Sequence, residues 1–460
     1  MRSLLGRFHR PMSRGAMGDI LTMNSLGDGS TLSFDFTTMG STIDSRITFS
    51  RADATPLATF VNSLGYVTTV ATAQAPRFDF DPTTLAAKGL LLEAPATNKL
   101  FGSESLAASG APINWQFTDQ VTRNATYVTS PRGAVDAVTV NETTANNIHR
   151  TGQFASPGYT VGAVCTFSCW AKVAKSATPR KLFANLTQAI GSSGLFDLTA
   201  AGTSGTAQAT AGTAVNRSTS WTKYPGDGNN NWYRVTVTGN WVADATIRLQ
   251  INRASSSTAA DDSFIGETDN GLVIWGAQFE LGTASSYIPT GVSQVTRAVD
   301  TAIIAAGSNF SSWYTGGTTG TFVSNWYGSA SSSTARSVIA TNDVLTQHLH
   351  MYQTASALTL RLADYNAVTT VTTTNSLTAG ALTKGAFSYA GTAASLCLNG
   401  GTVATGTLLF SAAPTWLSIG GPSTNGTSIT ATDVMLNNSI RTLKYFPTRL
   451  TDGQIQGLTT

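Results

Sequence analysis

Apolar and polar residues alternate along many short segments of this chain, which is the pattern of a β-strand with one buried face. The alternation is regular enough to assign the two faces of each segment. The apolar faces hold Phe167, Cys169, Ala171 and Val173 in 166–173; Tyr233, Val235 and Val237 in 232–238; Ile247, Leu249 and Ile251 in 247–252; and Val273, Trp275, Ala277, Phe279 and Leu281 in 272–281. A polar face opposite an apolar one is typical of antiparallel sheets that pack face to face.

The same pattern recurs in segments 321–327, 357–362, 395–399 and 416–420. No repeat of about 20–50 residues and no heptads occur, which argues against a propeller, a solenoid or a coiled coil. We therefore predict an all-β fold with two antiparallel β-sandwiches of jelly-roll type. The predicted organisation is an extended N-terminal anchoring arm (1–40), a small β linker region packed on the next domain (41–105), a first sandwich (106–298) and a second sandwich (299–460).

Composition narrows the class of protein further. Charged residues make up 12% of the chain, about half of the ~25% that is usual, so a long helical protein with a charged surface is excluded. Hydrophobic residues make up 41% and the net charge is +3, which excludes a disordered chain. The small net charge also argues against a nucleic-acid partner. No run of 18 apolar residues occurs, so membrane insertion is not expected.

The first 18 residues carry four positive charges, Arg2, Arg7, Arg10 and Arg14, and no acid. Their apolar residues are scattered and do not form the continuous core of a signal peptide. We interpret this arm as an anchor that docks into a neighbouring subunit, with a solvated terminus as the alternative.

Three cysteines occur in the chain, Cys165, Cys169 and Cys397. Cys165 and Cys169 lie four residues apart in a predicted strand, a separation of ~13 Å, whereas a disulfide needs Cα atoms within ~7 Å. Cys397 belongs to another module. We expect three buried thiols, as in a protein assembled in a reducing cytoplasm.

Two stretches resemble virion proteins of tailed bacteriophages. The first runs from Phe49-Ser-Arg-Ala-Asp-Ala-Thr55 through Ala75-Pro-Arg-Phe-Asp-Phe-Asp-Pro82 to Gly89-Leu-Leu-Leu-Glu93 and Thr97-Asn98. It resembles a segment of about 50 residues in phage tail-fibre, tail-spike and head-fibre proteins, and departs from it at Ala94 and Ala96. The second, Trp275-Gly-Ala-Gln-Phe-Glu-Leu-Gly282 with Ser286-Tyr-Ile-Pro-Thr290 and Thr296-Arg-Ala298, resembles the closing strand of the carbohydrate-binding-type sandwich in the same proteins.

The C-terminal part is similar to concanavalin-like and laminin-G-like lectin sandwiches. The resemblance is carried by Cys397-Leu-Asn-Gly400, Ser418-Ile-Gly-Gly421 and Tyr445-Phe-Pro-Thr-Arg-Leu-Thr-Asp452. Together, these resemblances imply that both sandwiches are lectin-like, the first of carbohydrate-binding type and the second of concanavalin or laminin-G type.

Enzymatic and metal-binding patterns are incomplete. Glu267 and Asp269 have the spacing of a glycosidase pair, but no third acid follows in 270–274, so a turn before the next strand is the better interpretation. His348 and His350 share a strand face, yet a zinc site needs further ligands, and only Asp343 and Asp364 are near in sequence. We expect no catalytic residues, no metal and no cofactor, although laminin-G-type folds can bind calcium.

Aromatic residues beside amides and acids are the chemistry of glycan binding, because sugars have apolar faces and polar edges. Trp221 and Tyr224 precede a loop that contains Asp227, Asn229 and Asn230, and Trp326 and Asn399 form an alternative set in the second sandwich. A core position is the alternative for each aromatic ring.

The resemblance implies a bacteriophage virion structural protein, a fibre or spike adhesin that binds host surface polysaccharide. It would be assembled in the host bacterial cytoplasm, be located in the virion as a homotrimer, and contact other virion proteins through the arm. A purely structural capsid or tail decoration protein without glycan binding is the alternative, and a glycan depolymerase is the third.

Overall fold

Short antiparallel strands dominate the described part of the chain. The computed structural model describes residues 28–460 except 56, 107–114, 116, 156–157, 176, 188–191, 199–204, 210–217, 225–230, 243–244, 257–261, 331–333, 343–346 and 365–367. Arg2, Arg7, Arg10 and Arg14, on which the predicted anchor rests, therefore lie outside the described residues.

The strands of the N-terminal region are β1 (Leu32–Asp35), β2 (Thr48–Ser50), β3 (Thr59–Val61), β4 (Val67–Thr69), β5 (Phe78–Phe80), β6 (Ala87–Leu92) and β7 (Ala96–Asn98). The middle region contains β8 (Phe117–Asp119), β9 (Val121–Thr129), β10 (Val135–Glu142), β11 (Asn146–Asn147), β12 (His149–Ala155), β13 (Val164–Val173), β14 (Arg180–Thr187), β15 (Ser192–Asp197), β16 (Gly205–Ala209), β17 (Ser218–Tyr224), β18 (Trp232–Asn240), β19 (Ala245–Arg253), β20 (Phe264–Ile265), β21 (Gly271–Leu281) and β22 (Val295–Arg297).

The C-terminal region contains β23 (Thr301–Ile304), β24 (Thr319–Tyr327), β25 (Arg336–Thr341), β26 (His350–Gln353), β27 (Thr359–Ala363), β28 (Thr370–Ser376), β29 (Leu382–Ala390), β30 (Ala393–Leu398), β31 (Ala404–Thr407), β32 (Leu417–Ile419) and β33 (Asn438–Phe446). The helical elements are α1 (Ser308–Ser311), a 3₁₀ turn (Thr432–Val434) and α2 (Asp452–Thr459). Helix α2 begins with a capping box of Thr451 and Gln454. No helix of the described residues is long and apolar enough to cross a membrane.

The first sandwich consists of two six-stranded sheets. Its front sheet has the order β17-β18-β13-β21-β10-β9 and its back sheet the order β16-β15-β14-β19-β12-β8. The apolar faces predicted for β13, β18 and β19 all lie in the core between these sheets. Cys165, Cys169 and Cys397 are buried free thiols, as predicted.

The second sandwich consists of a larger sheet with the order β31-β30-β29-β24-β33-β6-β5, in which β1 also pairs with β33, and a sheet with the order β2-β23-β32-β25-β26-β27-β28. One large hydrophobic core lies between them. The strand pairings that the structure describes in both sandwiches are all antiparallel. The predicted all-β class with two antiparallel sandwiches is confirmed.

The linker region predicted at 41–105 differs in the structure from a small module packed on the next domain. Its strand β6 pairs with Asn438–Ile440 of β33, and its strand β2 pairs with β23. Both pairings add to sheets of the second sandwich, because the edges of those sheets need hydrogen-bond partners. The β3–β4 hairpin instead packs its Val61 and Val67 on the first sandwich.

A second difference concerns β21. Sequence alternation placed Val273 and Trp275 on the same face as Ala277 and Phe279, but the first pair lies on the outer face of the front sheet and the second pair in the core. The register against β13 shifts between Ser168 and Trp170. The extra residue is accommodated in β21 at Gly276, whose φ of 66° is left-handed. This β-bulge exchanges the two faces within one strand.

A buried ion network joins the two sandwiches. Asp300, which precedes β23, accepts a hydrogen bond from Arg51 Nε at 2.8 Å and another from Arg77. Glu93, which follows β6, lies 2.7 Å from Arg77 Nη1 and 3.4 Å from Arg297 Nη2. All five side chains are almost completely buried.

The first sandwich reaches this network through Ser286, in the loop after β21. Ser286 donates from its backbone N–H to Glu93 Oε1 at 2.8 Å and from its hydroxyl to Glu93 Oε2 at 2.7 Å. Burial alone would favour neutral Glu93, but Arg297 and Arg77 hold the pKa of its carboxyl far below the usual range. The network is therefore charged, and it fixes the loop after β21 against the second sandwich.

Candidate functional site: a cleft between the sandwiches

The outer face of the front sheet carries a cluster of aromatic side chains. Trp170 of β13 faces Trp275 of β21 in the register, with their ring centroids 5.2 Å apart. Tyr287 lies 4.8 Å from Trp275, and Tyr224 lies 5.5 Å from Trp170. The bulge at Gly276 is the reason that Trp275 lies on this face.

A cleft with a volume of about 330 Å³ opens beside this cluster. Its walls come from several parts of the chain: Trp170, Tyr224 and Arg234 from the first sandwich; Val61 and Val67 from the β3–β4 hairpin; Phe80, Asp81 and Lys88 from the segment around β5 and β6; and Asn437 and Asn438 from the second sandwich. Thr83 Oγ1 donates to the carbonyl of Lys223 at 2.8 Å and so ties two of the walls together.

Two aspartates supply acceptors in the cleft. Asp81 Oδ1 accepts from the backbone N–H of Thr83 at 2.9 Å and of Thr84 at 2.7 Å. Partial burial opposes ionisation, yet these hydrogen bonds lower the pKa of Asp81 below its ordinary value, so that it is charged at neutral pH. Asp79 lies 3.2 Å from Lys88 Nζ, which compensates its charge.

Arg234 provides a cation on the wall that comes from the first sandwich. Its Nη2 donates to Ser285 O at 2.8 Å and to Ser168 Oγ at 3.2 Å, and its Cζ lies 4.7 Å above the Trp170 ring. The neighbouring Tyr224 has its pKa raised to about 12, chiefly by burial. Its phenol therefore stays protonated and can donate a hydrogen bond.

The structure places the glycan-binding residues predicted from the sequence in different environments. Tyr224 lines the cleft, whereas Asp227, Asn229 and Asn230 lie outside the described residues. Trp221 is half-buried and packs edge-on against Tyr233, with centroids 5.5 Å apart. This contact makes it part of the sandwich wall.

The alternative set in the second sandwich does not form a site. Trp326 is 0% exposed in the core, so the prediction that it stacks on a sugar is wrong, because no part of its ring is accessible. Asn399 is exposed, and its Oδ1 accepts the backbone N–H of Lys384 at 2.8 Å. With a φ of 49°, it serves a hairpin turn.

Sequence reasoning missed Phe80, Asp81, Arg234 and Asn437 as parts of one site. Phe80 and Asp81 stand inside the phage-like segment, and Arg234 is a single cation among the threonines of β18. These two features were the signals in the sequence that could have pointed to the site. Their convergence depends on how the two sandwiches meet, which strand patterns do not encode.

The structure also places the acid pair and the histidine pair. Glu267 lies in the turn before β21 and pairs with Arg180 at 3.3 Å. Burial favours its neutral form, but Arg180 and the hydrogen bonds from Thr178 and Asn270 together lower the pKa of Glu267. The rings of His348 and His350 are 5.7 Å apart, and burial lowers the pKa of His350 to about 3. Among the described residues, no group of three or more His, Cys, Asp or Glu side chains could hold a metal ion.

Comparisons with known proteins give structural likenesses only. No family model matches the chain, and no curated protein matches it. Solved structures similar to parts of it include the CBM40 domain of the Ruminococcus gnavus IT-sialidase bound to α2,3-sialyllactose, with 18% identity and a TM-score of 0.26 over 31% of this chain and 83% of that one. A Limulus polyphemus SAP-like pentraxin has 14% identity and a TM-score of 0.25 over 31% and 70%.

Domains LG4-5 of the mouse laminin α1 chain are also similar, with 10% identity and a TM-score of 0.21 over 67% of this chain and 90% of that one. The assignment of the fold rests on the sheets of the chain itself.

Proposed function

We propose that this chain is a carbohydrate-binding adhesin of a bacteriophage particle, and that sugar binds in the cleft between its sandwiches. The cleft carries the proposal, because it combines the rings of Phe80 and Tyr224 with a charged acceptor, Asp81, and a charged donor, Arg234. Apolar sugar faces pack on aromatic rings while hydroxyls bond to such polar groups. The protein would bind glycan without cleaving it.

The virion location is supported by the phage-like segment. Its Arg51, Arg77 and Glu93 are the residues that meet in the buried network with Arg297 and Asp300. Phe80 and Asp81 of the same segment line the cleft. The segment therefore builds both the junction and one wall of the proposed site. We infer assembly in the host cytoplasm as a homotrimer of about 144 kDa, three times the 48.0 kDa chain.

Glycan binding is tested with Asp81→Asn. Asparagine keeps the oxygen that accepts the Thr83 and Thr84 amides but loses the charge. A hydrogen bond to a charged group is worth ~1.5–3 kcal/mol, so we expect affinity for a host polysaccharide fragment to fall about 10- to 100-fold by calorimetry.

The matched control is Asp35→Asn, because Asp35 accepts the Thr37 amide in a similar turn and is exposed. Its affinity should equal that of the parent. Equal binding by Asp81→Asn would remove the cleft from the proposal. If the parent binds neither host cells nor host glycans, the adhesin proposal fails and the structural decoration role replaces it.

Anchoring is tested by deleting residues 1–27. Asp28 pairs with Lys444 Nζ at 2.8 Å and β1 pairs with β33, so a deletion that ends before Asp28 keeps both contacts. We expect the truncated protein to unfold at the parent's urea midpoint and to be missing from purified particles. A full-length variant with Arg2, Arg7, Arg10 and Arg14 changed to glutamine should also be missing from purified particles. Normal incorporation of both proteins into particles would contradict the anchoring role of the arm.

A further inference from the structure

Arg234 differs from the four buried arginines of the described residues in having no ion-pair partner. Arg51, Arg77, Arg180 and Arg297 each lie within ion-pair distance of a carboxylate. Arg234, which is half-buried, has no such partner among the described residues; its hydrogen bonds go to a hydroxyl and a backbone carbonyl. Its Nε is buried without an acceptor. Burying a cation without a counter-charge is costly.

None of the nearby described carboxylates lies within ion-pair distance of Arg234, and each is held by other partners. Glu280 is engaged by the backbone N–H and hydroxyl of Ser285, at 2.9 and 2.6 Å, and by Gln278 Nε2 at 2.6 Å. Burial raises the pKa of Glu280 above its ordinary value, although Arg234 acts in the opposite direction. Asp79 pairs with Lys88, and Asp81 is held by backbone amides.

The cleft is therefore electrically two-sided. Arg234 lines it from the first sandwich, and Asp79 and Asp81 line it from the segment around β5. Burial has the largest effect on the Tyr224 phenol and raises its pKa; Arg234 lowers that pKa, and Asp79 and Asp81 raise it further. A neutral sugar would use the acceptor side and leave the guanidinium without a counter-charge. A ligand with an anionic group at one end and hydroxyls at the other would match both sides.

We propose that the cleft binds a sugar unit that carries a carboxylate, of the uronic-acid kind, with the carboxylate on Arg234 and the hydroxyls on Asp81 and Tyr224. The inference rests on the proposed glycan-binding function and adds its substrate class. A guanidinium is suited to this role because its planar array of N–H groups matches the geometry of a carboxylate. Nη1 of Arg234 makes no hydrogen bond to a described residue and is the donor that would meet the ligand.

The experiment measures binding of the full-length protein to uronic-acid-containing oligosaccharides from host capsule. It then measures binding to the same oligosaccharides after their carboxyl groups have been chemically reduced to alcohols. Reduction replaces each carboxylate with a neutral hydroxymethyl group, leaves the rest of the oligosaccharide unchanged and needs no variant. We expect it to weaken binding at least about tenfold, the effect of losing one charged hydrogen bond. The affinity for the acidic form should also fall as salt is raised.

Arg234→Gln should weaken binding of the acidic form by a similar factor and leave the reduced form unchanged, and Arg234→Lys should restore part of the affinity. Arg361→Gln is the matched control, because Arg361 is a half-buried strand arginine that donates to a hydroxyl, Thr372 Oγ1, at 3.0 Å in the second sandwich. Equal binding of both forms by the parent would overturn the carboxylate inference and leave glycan binding intact. Binding of neither form, nor of any other host glycan, would overturn both.

Discussion

Replacing Asp300 with asparagine should lower the free energy of unfolding by about 3–5 kcal/mol, the usual cost of breaking a buried ion pair. The Asp300 side chain is completely buried and accepts from Arg51, Arg77 and the backbone N–H of Glu93. Asparagine has nearly the same shape but no charge, so Arg51 and Arg77 would lose a counter-charge in a place that water cannot reach. The loss should appear as a lower urea midpoint for the first unfolding transition.

The control is Asp119→Asn on the surface of the first sandwich. Asp119 pairs with Arg150 at 2.7 Å, and its side chain is 40% exposed, so solvent screening limits the loss to about 1 kcal/mol or less. If Asp300→Asn unfolds at the same midpoint as Asp119→Asn, the network does not stabilise the junction.

The buried ion network shows what could and could not be predicted from the sequence. Arg51, Arg77 and Glu93 stand in the first phage-like stretch and Arg297 in the second, about 200 residues later. The resemblance marked them as parts of one protein type, but strand patterns could not show that they meet. Their meeting depends on β2 and β6 crossing over to the sheets of the second sandwich, and alternation within a strand does not specify its partner.

The sequence also does not predict which aromatic residues line a cleft and which lie in the core. The interpretation of Tyr224 and Trp326 was the same at the sequence level, because each stands on a strand near polar residues. In the structure, Tyr224 lines a cleft, whereas Trp326 is buried between two sheets. The difference arises from the β3–β4 hairpin and from Asn437 and Asn438, which come from distant parts of the chain and build the walls around Tyr224.

A single glycine explains the assignment that was wrong in β21. Strict alternation groups Val273 with Ala277, and it holds only while the strand pairs without interruption. The bulge at Gly276 changes the phase of the strand, so Trp275 faces outward and supports the aromatic cluster beside the cleft. A glycine inside a strand pattern is the sequence signal for such a bulge.

Replacing Gly276 with alanine should therefore cost about 2–5 kcal/mol of stability. The left-handed φ of 66° disfavours any side chain, which contributes about 1–2 kcal/mol. The added Cβ would also meet the Trp170 ring at 2.8 Å, and overpacking of this kind typically costs ~1–3 kcal/mol. We expect a lower urea midpoint and a changed near-ultraviolet circular dichroism signal, because Trp170 packs edge-on against Trp275 and Tyr287.

Gly282→Ala separates the two contributions. Gly282 directly follows the same strand and also has a positive φ, of 82°, but a Cβ there would meet nothing within 4 Å. It should lose only the backbone contribution and keep the aromatic signal of the parent. The additional loss of stability in Gly276→Ala then measures the contact with Trp170. Because the Trp170 ring forms part of the cleft, glycan affinity should fall in Gly276→Ala but not in Gly282→Ala. Equal stability of the two variants would mean that the ring moves away without cost and that the bulge does not fix the position of Trp170.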